Sequence, residues 1–94
     1  MKILNKKNIS IIGGAGHVGF PLGLAFAENF FKVDLVDIDS KNIKKINSGI
    51  SPFMEIGAKK LLKKSLKNKR ISTKATLNEL IYSSDKNLEF LTVK

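Results

Sequence analysis

Three glycines spaced as Gly14-x-Gly16-x-x-Gly19, followed by Asp37 twenty-three positions after the first, stand out as a set able to do chemistry together. Glycine weakens strands and helices alike, so a cluster of it serves backbone geometry or a closely approaching ligand. A loop with little side chain presents its amide hydrogens to an anion, and a carboxylate accepts hydrogen bonds from hydroxyls. Together they suit a ligand carrying both phosphates and a sugar.

That chemistry requires elements to hold the loop and the acid side by side. Asn8–Ile12, "NISII", is a short β-branched run that reads as a buried strand, with Gly13 at its end. From about His17 to Asn29 the apolar residues Val18, Leu22, Ala25 and Phe26 recur at helical spacing. Pro21 falls in the first turn of that helix, where a missing amide hydrogen is harmless. Lys32–Asp37 reads as a second strand, and "DSKNIKKINSG" as a short helix capped by Asp39 or Ser40 and stopped by Gly49. After a turn at Ser51-Pro52, a third helix is expected from Gly57 to Leu66. Its apolar face holds Ala58, Leu61, Leu62 and Leu66, and Lys59, Lys60, Lys63, Lys64 and Lys67 lie opposite. Arg70–Lys74 is a third strand, Thr76–Tyr82 a helix opened by a capping box, and Leu88–Val93 a fourth strand. Alternating strands and helices predict a parallel sheet covered on both faces.

In this setting the glycine spacing acquires its meaning as a dinucleotide-binding loop. Gly14 is expected to permit the tight turn, Gly16 to admit a pyrophosphate, and Gly19 to let helix and strand pack closely. Free amides and the positive end of the helix dipole face the phosphates. Asp37, at the end of the second strand, is placed to accept bonds from the adenosine ribose hydroxyls and to repel a 2′-phosphate, which favours NAD over NADP. Asp34 points away from its strand neighbours and Asp39 suits a helix cap, so both are weaker candidates. His17 is the single histidine. It is expected to pack beside the phosphates rather than to do acid–base chemistry.

Composition narrows the class. Ninety-four residues allow one small domain, and the chain contains no cysteine for a disulfide, thiolate metal site or thiol nucleophile. No apolar run reaches membrane-spanning length, and a cytoplasmic protein is expected. The net charge of +9 is uneven: residues 41–70 hold ten lysines and arginines against one acid, Glu55. The block reads as a solvated helix face, with binding of an anion or nucleic acid as the alternative.

At "GGAGHVGFPLGLAFAENFFKVDLVDID", then "INSGISPFMEIGAKKLLKK" and "ISTKATLNEL", the chain resembles the NAD-binding domain of the nucleotide-sugar 6-dehydrogenases. These enzymes oxidise UDP-glucose, UDP-N-acetylglucosamine, UDP-N-acetylmannosamine or GDP-mannose to uronic acids. The resemblance runs from about Asn8 to Thr92. It implies that Gly14, Ala15, Gly16, His17, Val18 and Gly19 hold the pyrophosphate of NAD and Asp37 its adenosine ribose. Many members place Arg or Lys five residues after the acid, near the adenine ribose. Here Asn42 stands there beside Lys41, so that role is not carried over.

The resemblance also implies what this chain lacks. The family continues with a Gly-Thr-Pro-like turn, two further strands, a long connecting helix and a sugar-binding domain. Its catalytic cysteine and lysine lie in those regions, so no catalytic residue is assigned here. "DKNLEF" is more polar than the family's fourth strand. The expected fold is the first part of a doubly wound Rossmann sheet, one partial domain over residues 1–94, with strand order 3-2-1-4. The expected function is NAD binding within a nucleotide-sugar dehydrogenase, with the sugar nucleotide bound only when the remaining regions are supplied. An exposed edge on the fourth strand would favour self-association or a separately encoded remainder. A stand-alone NAD-sensing module is the competing reading.

Overall fold

A computed structural model of the chain describes residues 8–54 and 56–75, and the backbone of residues 88–92. Four parallel strands, β1 (Asn8–Ile12), β2 (Lys32–Val36), β3 (Ile71–Lys74) and β4 (Leu88–Thr92), form one sheet in the order β3-β2-β1-β4. The expected order is therefore the observed one, with β1 and β2 central. The strands pair in register, Ile11 beside Leu35 and Val33 beside Ile71. On the other side of β1, Ile12 lies beside Thr92 of β4.

Three helices connect the first three strands: α1 (Gly19–Glu28), α2 (Ser40–Asn47) and α3 (Ala58–Lys67). Helix α1 begins two residues later than its apolar periodicity suggests, because His17 and Val18 remain in the turn that precedes it. It buries Gly19, Phe20, Gly23, Leu24 and Ala27 along one stripe. Helix α2 buries Ile43 and Ile46, and Asp39 caps it by accepting the Asn42 amide at 3.1 Å. Its end is set by Gly49, whose φ of 78° lies in the left-handed region. Helix α3 buries Ala58, Leu62 and Ser65.

Period two in the strands and the helical stripes converge on a single core. Ile9, Ile11, Val33, Leu35 and Ile71 point to the same side of the sheet and pack with Phe20, Leu24, Ile43, Ile46 and Leu62. All three helices thus cover one face. Cover on both faces was expected, and the expected Thr76–Tyr82 helix lies outside the described residues. That second face carries Ser10, Asp34, Ser72 and Lys74. Asp34 accepts from the Ser72 hydroxyl and the Lys74 ammonium, tying β2 to β3. That contact accounts for Asp34, Ser72 and Lys74, whereas the buried Ser10 hydroxyl has no hydrogen-bond partner among the described residues.

The turn from α1 into β2 rests on aromatic packing. Phe30 adopts a left-handed φ of 71°, and the Arg70 guanidinium lies 4.7 Å from its ring centre. Phe26 and Phe31 meet edge to face at 4.9 Å. The lysines of α3, Lys59, Lys60, Lys63, Lys64 and Lys67, are exposed, as a solvated face requires. Among the described residues no helix is long and apolar enough to cross a membrane.

Leu62 is fully buried at the centre of this core. Its truncation to Ala should cost roughly 2–5 kcal/mol through lost burial and a residual cavity. Urea denaturation of Leu62→Ala measures the loss, and an unchanged midpoint would contradict the placement of α3.

Candidate functional site

The loop from Gly13 to Val18 leaves the carboxyl end of β1 and enters α1. Gly13, not Gly14, makes the turn: its φ is 87°, and no other residue of the loop has a positive φ. The expectation that Gly14 supplies the tight turn is corrected accordingly, because the chain must turn at the first residue past β1. The amides of Gly13 and Gly14 both donate to the Val36 carbonyl, at 2.8 and 3.0 Å, which seats the loop on β2.

Space explains the remaining glycines, each differently. A Cβ on Gly14 would lie 2.8 Å from both the Ile11 carbonyl oxygen and the Leu35 Cα. One on Gly19 would come within 2.2 Å of the Gly13 carbonyl oxygen. Both positions are closed by backbone, so only glycine fits. At Gly16 a Cβ would meet just the Gly13 carbonyl oxygen, at 3.4 Å. The folded chain has room there, and any strict need for glycine comes from a ligand.

Amide donors divide in the same way. Gly16 donates to the Gly13 carbonyl at 3.1 Å, and Ala15 donates to Asp37 Oδ2 at 3.0 Å. The amides of His17, Val18 and Gly19 have no acceptor among the described residues. These three amides stand at the N-terminus of α1, where the helix dipole adds positive potential. Gly14 and Ala15 are buried, whereas His17 and Val18 are exposed. The first pair shapes the loop and the second forms its rim.

Asp37 stands immediately past β2 and is half-buried. Besides the Ala15 amide on Oδ2, its Oδ1 accepts the Asp39 amide at 2.9 Å. An ionised carboxylate has about four acceptor sites, so two remain for a ligand's hydroxyls. The acid and the loop, separate in sequence, are therefore in direct contact.

Two neighbours of this site were not legible as such. Asn42 donates through Nδ2 to the Ala15 carbonyl at 3.0 Å. The sequence marks Asn42 only as standing where the resemblance places a basic residue, which does not point to this bond. Phe53, in the turn after Ser51-Pro52, lays its ring 3.9 Å from the His17 ring, tilted by 31°. It also reaches Phe20, at 6.4 Å between centres. The stack restrains His17 at the loop's rim.

Comparison with known proteins adds the family. The NAD binding domain of the UDP-glucose/GDP-mannose dehydrogenase family matches residues 7–94. This chain belongs to that family. A UDP-glucose 6-dehydrogenase of Bacillus subtilis is 31% identical over 78 residues, covering 83% of this chain and 18% of the relative. An uncharacterised protein of Methanocaldococcus jannaschii is 42% identical over 65 residues, 69% of this chain and 7% of its own length. Among solved structures, a GDP-mannose dehydrogenase of Pseudomonas aeruginosa, determined as a ternary complex, superposes with a TM-score of 0.74. It is 32% identical and covers 82% of this chain and 17% of its own. A UDP-D-ManNAc dehydrogenase of Pyrococcus horikoshii gives a TM-score of 0.76 at 27% identity, covering 90% and 20%.

The chain thus spans about a fifth or less of the relatives it matches, and the part it spans is their NAD-binding domain. The Rossmann fold and the NAD cofactor expected from the sequence agree with this assignment. A family of dehydrogenases lends no support to a stand-alone sensing module or to a nucleic-acid-binding role for residues 41–70.

The contrast between the glycines gives a direct test of the loop. Gly19→Ala forces backbone apart and should destabilise the fold by about 1–3 kcal/mol or more. Gly16→Ala should change stability by no more than about 1 kcal/mol. Thermal unfolding of the two variants decides it, and equal losses would contradict the geometry of the loop.

Proposed function

We propose that the chain serves as the cofactor-holding part of an NAD-dependent nucleotide-sugar 6-dehydrogenase, forming a single partial domain over residues 1–94. The observation that carries this reading is the contact between Asp37 and the glycine loop, beside three free amides. His17, Val18 and Gly19 would donate to the pyrophosphate, with Gly16 leaving it room and Gly14 and Ala15 setting the loop's shape. Asp37 would accept the ribose hydroxyls of the adenosine half. NAD, when bound, supplies the hydride acceptor for oxidation of an alcohol carbon.

A chain that covers so little of its relatives leaves the sugar-handling chemistry to other regions. Hydride transfer needs the reacting carbon fixed against the nicotinamide, and such positioning supplies much of the rate enhancement. Oxidation of an alcohol to an acid takes two successive steps, a covalent route for the second needs a nucleophile, and this sequence holds no cysteine. The sugar nucleotide would therefore bind only together with regions supplied elsewhere, and β4, at the edge of the described sheet, is where a further strand would join. A cytoplasmic location belongs to the same reading, because the cofactor is a phosphorylated nucleotide that does not cross membranes freely.

Titration calorimetry with NAD and NADP tests the cofactor assignment. NAD should bind more tightly, since a 2′-phosphate would face the Asp37 carboxylate, with Lys41, Lys44 and Lys45 softening the difference. Asp37→Ala should lose roughly 1.5–3 kcal/mol of NAD binding, the range for hydrogen bonds to a charged group. Tighter binding of NADP, or an Asp37→Ala chain that binds NAD as well as the parent, would sink the assignment. Gly16→Val should remain folded and bind no NAD detectably.

The catalytic expectation has its own assay. The purified chain alone should form no NADH from UDP-glucose, UDP-N-acetylglucosamine or UDP-N-acetylmannosamine. Turnover by the lone chain would overturn the division of labour proposed here.

A further inference from the structure

Four hydrogen bonds close a ring around the start of α2. The Ala15 amide donates to Asp37 Oδ2 at 3.0 Å, and the Asp39 amide donates to Asp37 Oδ1 at 2.9 Å. The Asn42 amide donates to Asp39 Oδ1 at 3.1 Å, and Asn42 Nδ2 returns to the Ala15 carbonyl at 3.0 Å. Asn42 is the member that closes the ring, and it does so with its side chain.

We propose that Asn42 is a positioning residue for the cofactor, holding the phosphate loop and the ribose-binding acid in register before the cofactor arrives. The inference rests on the cofactor site described above and adds a residue that touches neither phosphate nor ribose in that reading.

The mechanism follows from the peptide planes of the loop. The plane before Ala15 is fixed by its amide on Asp37. The plane after Ala15 is fixed at both ends, by Asn42 on the Ala15 carbonyl and by the Gly16 amide on the Gly13 carbonyl. The next donors along the chain are the free amides of His17, Val18 and Gly19. A peptide plane is rigid, so pinning its two ends fixes where the following residue begins. Loss of the Asn42 bond frees one end of the plane nearest the three donors. It also leaves the buried Ala15 carbonyl without its side-chain partner.

The ring further makes the two halves of the site one unit. Asp37 is aimed by the same residue, Ala15, whose carbonyl Asn42 holds. A ligand that uses only the acid should sense Asn42 weakly. A ligand spanning acid and loop should sense it fully.

The experiment compares NAD and adenosine on the 94-residue chain. NAD affinity is measured by calorimetry and adenosine by NMR shift titration, on the parent, Asn42→Ala and Asn42→Asp. Asn42→Ala should weaken NAD about two- to tenfold, in line with the net worth of a hydrogen bond, and adenosine by less than about twofold. Asn42→Asp keeps the shape but turns an acceptor toward the Ala15 carbonyl, so its loss should be at least as large. Asp39→Ala combined with Asn42→Ala should cost NAD binding less than the sum of the two single losses, as members of one network do.

A folded Asn42→Ala chain with unchanged NAD affinity overturns the proposal while leaving the cofactor site standing. Equal losses for NAD and adenosine, accompanied by a lowered melting temperature, assign Asn42 a merely structural role and overturn it as well. A parent chain that binds no NAD overturns both the site and the positioning role. Amide hydrogen exchange on the ligand-free parent gives a reading that needs no variant. The Ala15 amide should exchange more slowly than those of His17 and Val18, and equal exchange overturns the ring.

Discussion

The start of α1 lies so close to the turn after β1 that no side-chain carbon can come between them. A Cβ at Gly19 would sit 2.2 Å from the Gly13 carbonyl oxygen, and one at Gly14 would press on the backbone of both β1 and β2. This closeness sets the head of α1 against the carboxyl end of β1. It also brings Ala15 near enough to β2 to donate to Asp37. Were the helix displaced by the width of a methyl group, the loop would lose its seat on the Val36 carbonyl and the acid its contact with the loop. The seat of the loop on β2 and its contact with Asp37 both rest on that one steric condition.

Much of this was legible because several independent signals agreed. Asn8–Ile12 and Lys32–Val36 are short β-branched runs bounded by glycine or a capping acid, and their observed limits differ from the expected ones by at most a residue. Asp39 was readable as a cap because it precedes a helical pattern in which Ile43 and Ile46 share a face. What was not legible depends on backbone torsion and on contacts between distant segments. The turn falls on Gly13 rather than Gly14 because β1 ends at Ile12, a limit that residue types alone leave open by one position. The role of Asn42 was hidden because its partner is a backbone carbonyl, and a carbonyl leaves no trace in residue identity. Phe53 escaped notice for a related reason, since an aromatic in a turn looks the same whether or not a ring waits beneath it.

Lysines dominate residues 41–70, and the structure shows how the fold accommodates them. On α3 they project outward while Ala58, Leu62 and Ser65 face the core, so their charge stays hydrated. Lys44 and Lys45 lie in the last turn of α2, where cations complement the negative end of the helix dipole. Lys64 approaches Glu28 to 3.6 Å across the surface, a contact too exposed to contribute much. Eight of the ten basic residues in the block thus lie on two helix surfaces, Lys69 and Arg70 follow α3, and Asp37 and the glycine loop owe their geometry to none of them.

The strand pairing has a consequence for how the chain reaches this form. β1 receives β2 after one helix, but its partner on the other side, β4, comes from the far end: Asn8 lies beside Leu88. Contacts between residues so distant in sequence carry a larger loop-closure cost and slow the search for the native pairing. The bonds that join the phosphate loop to Asp37 and Asn42 span only 22 and 27 residues. They lie wholly within β1, α1, β2 and the first turn of α2. Nothing in that circuit waits for β4, so topology allows the glycine loop, Asp37 and Asn42 to assemble as a local unit before β4 pairs.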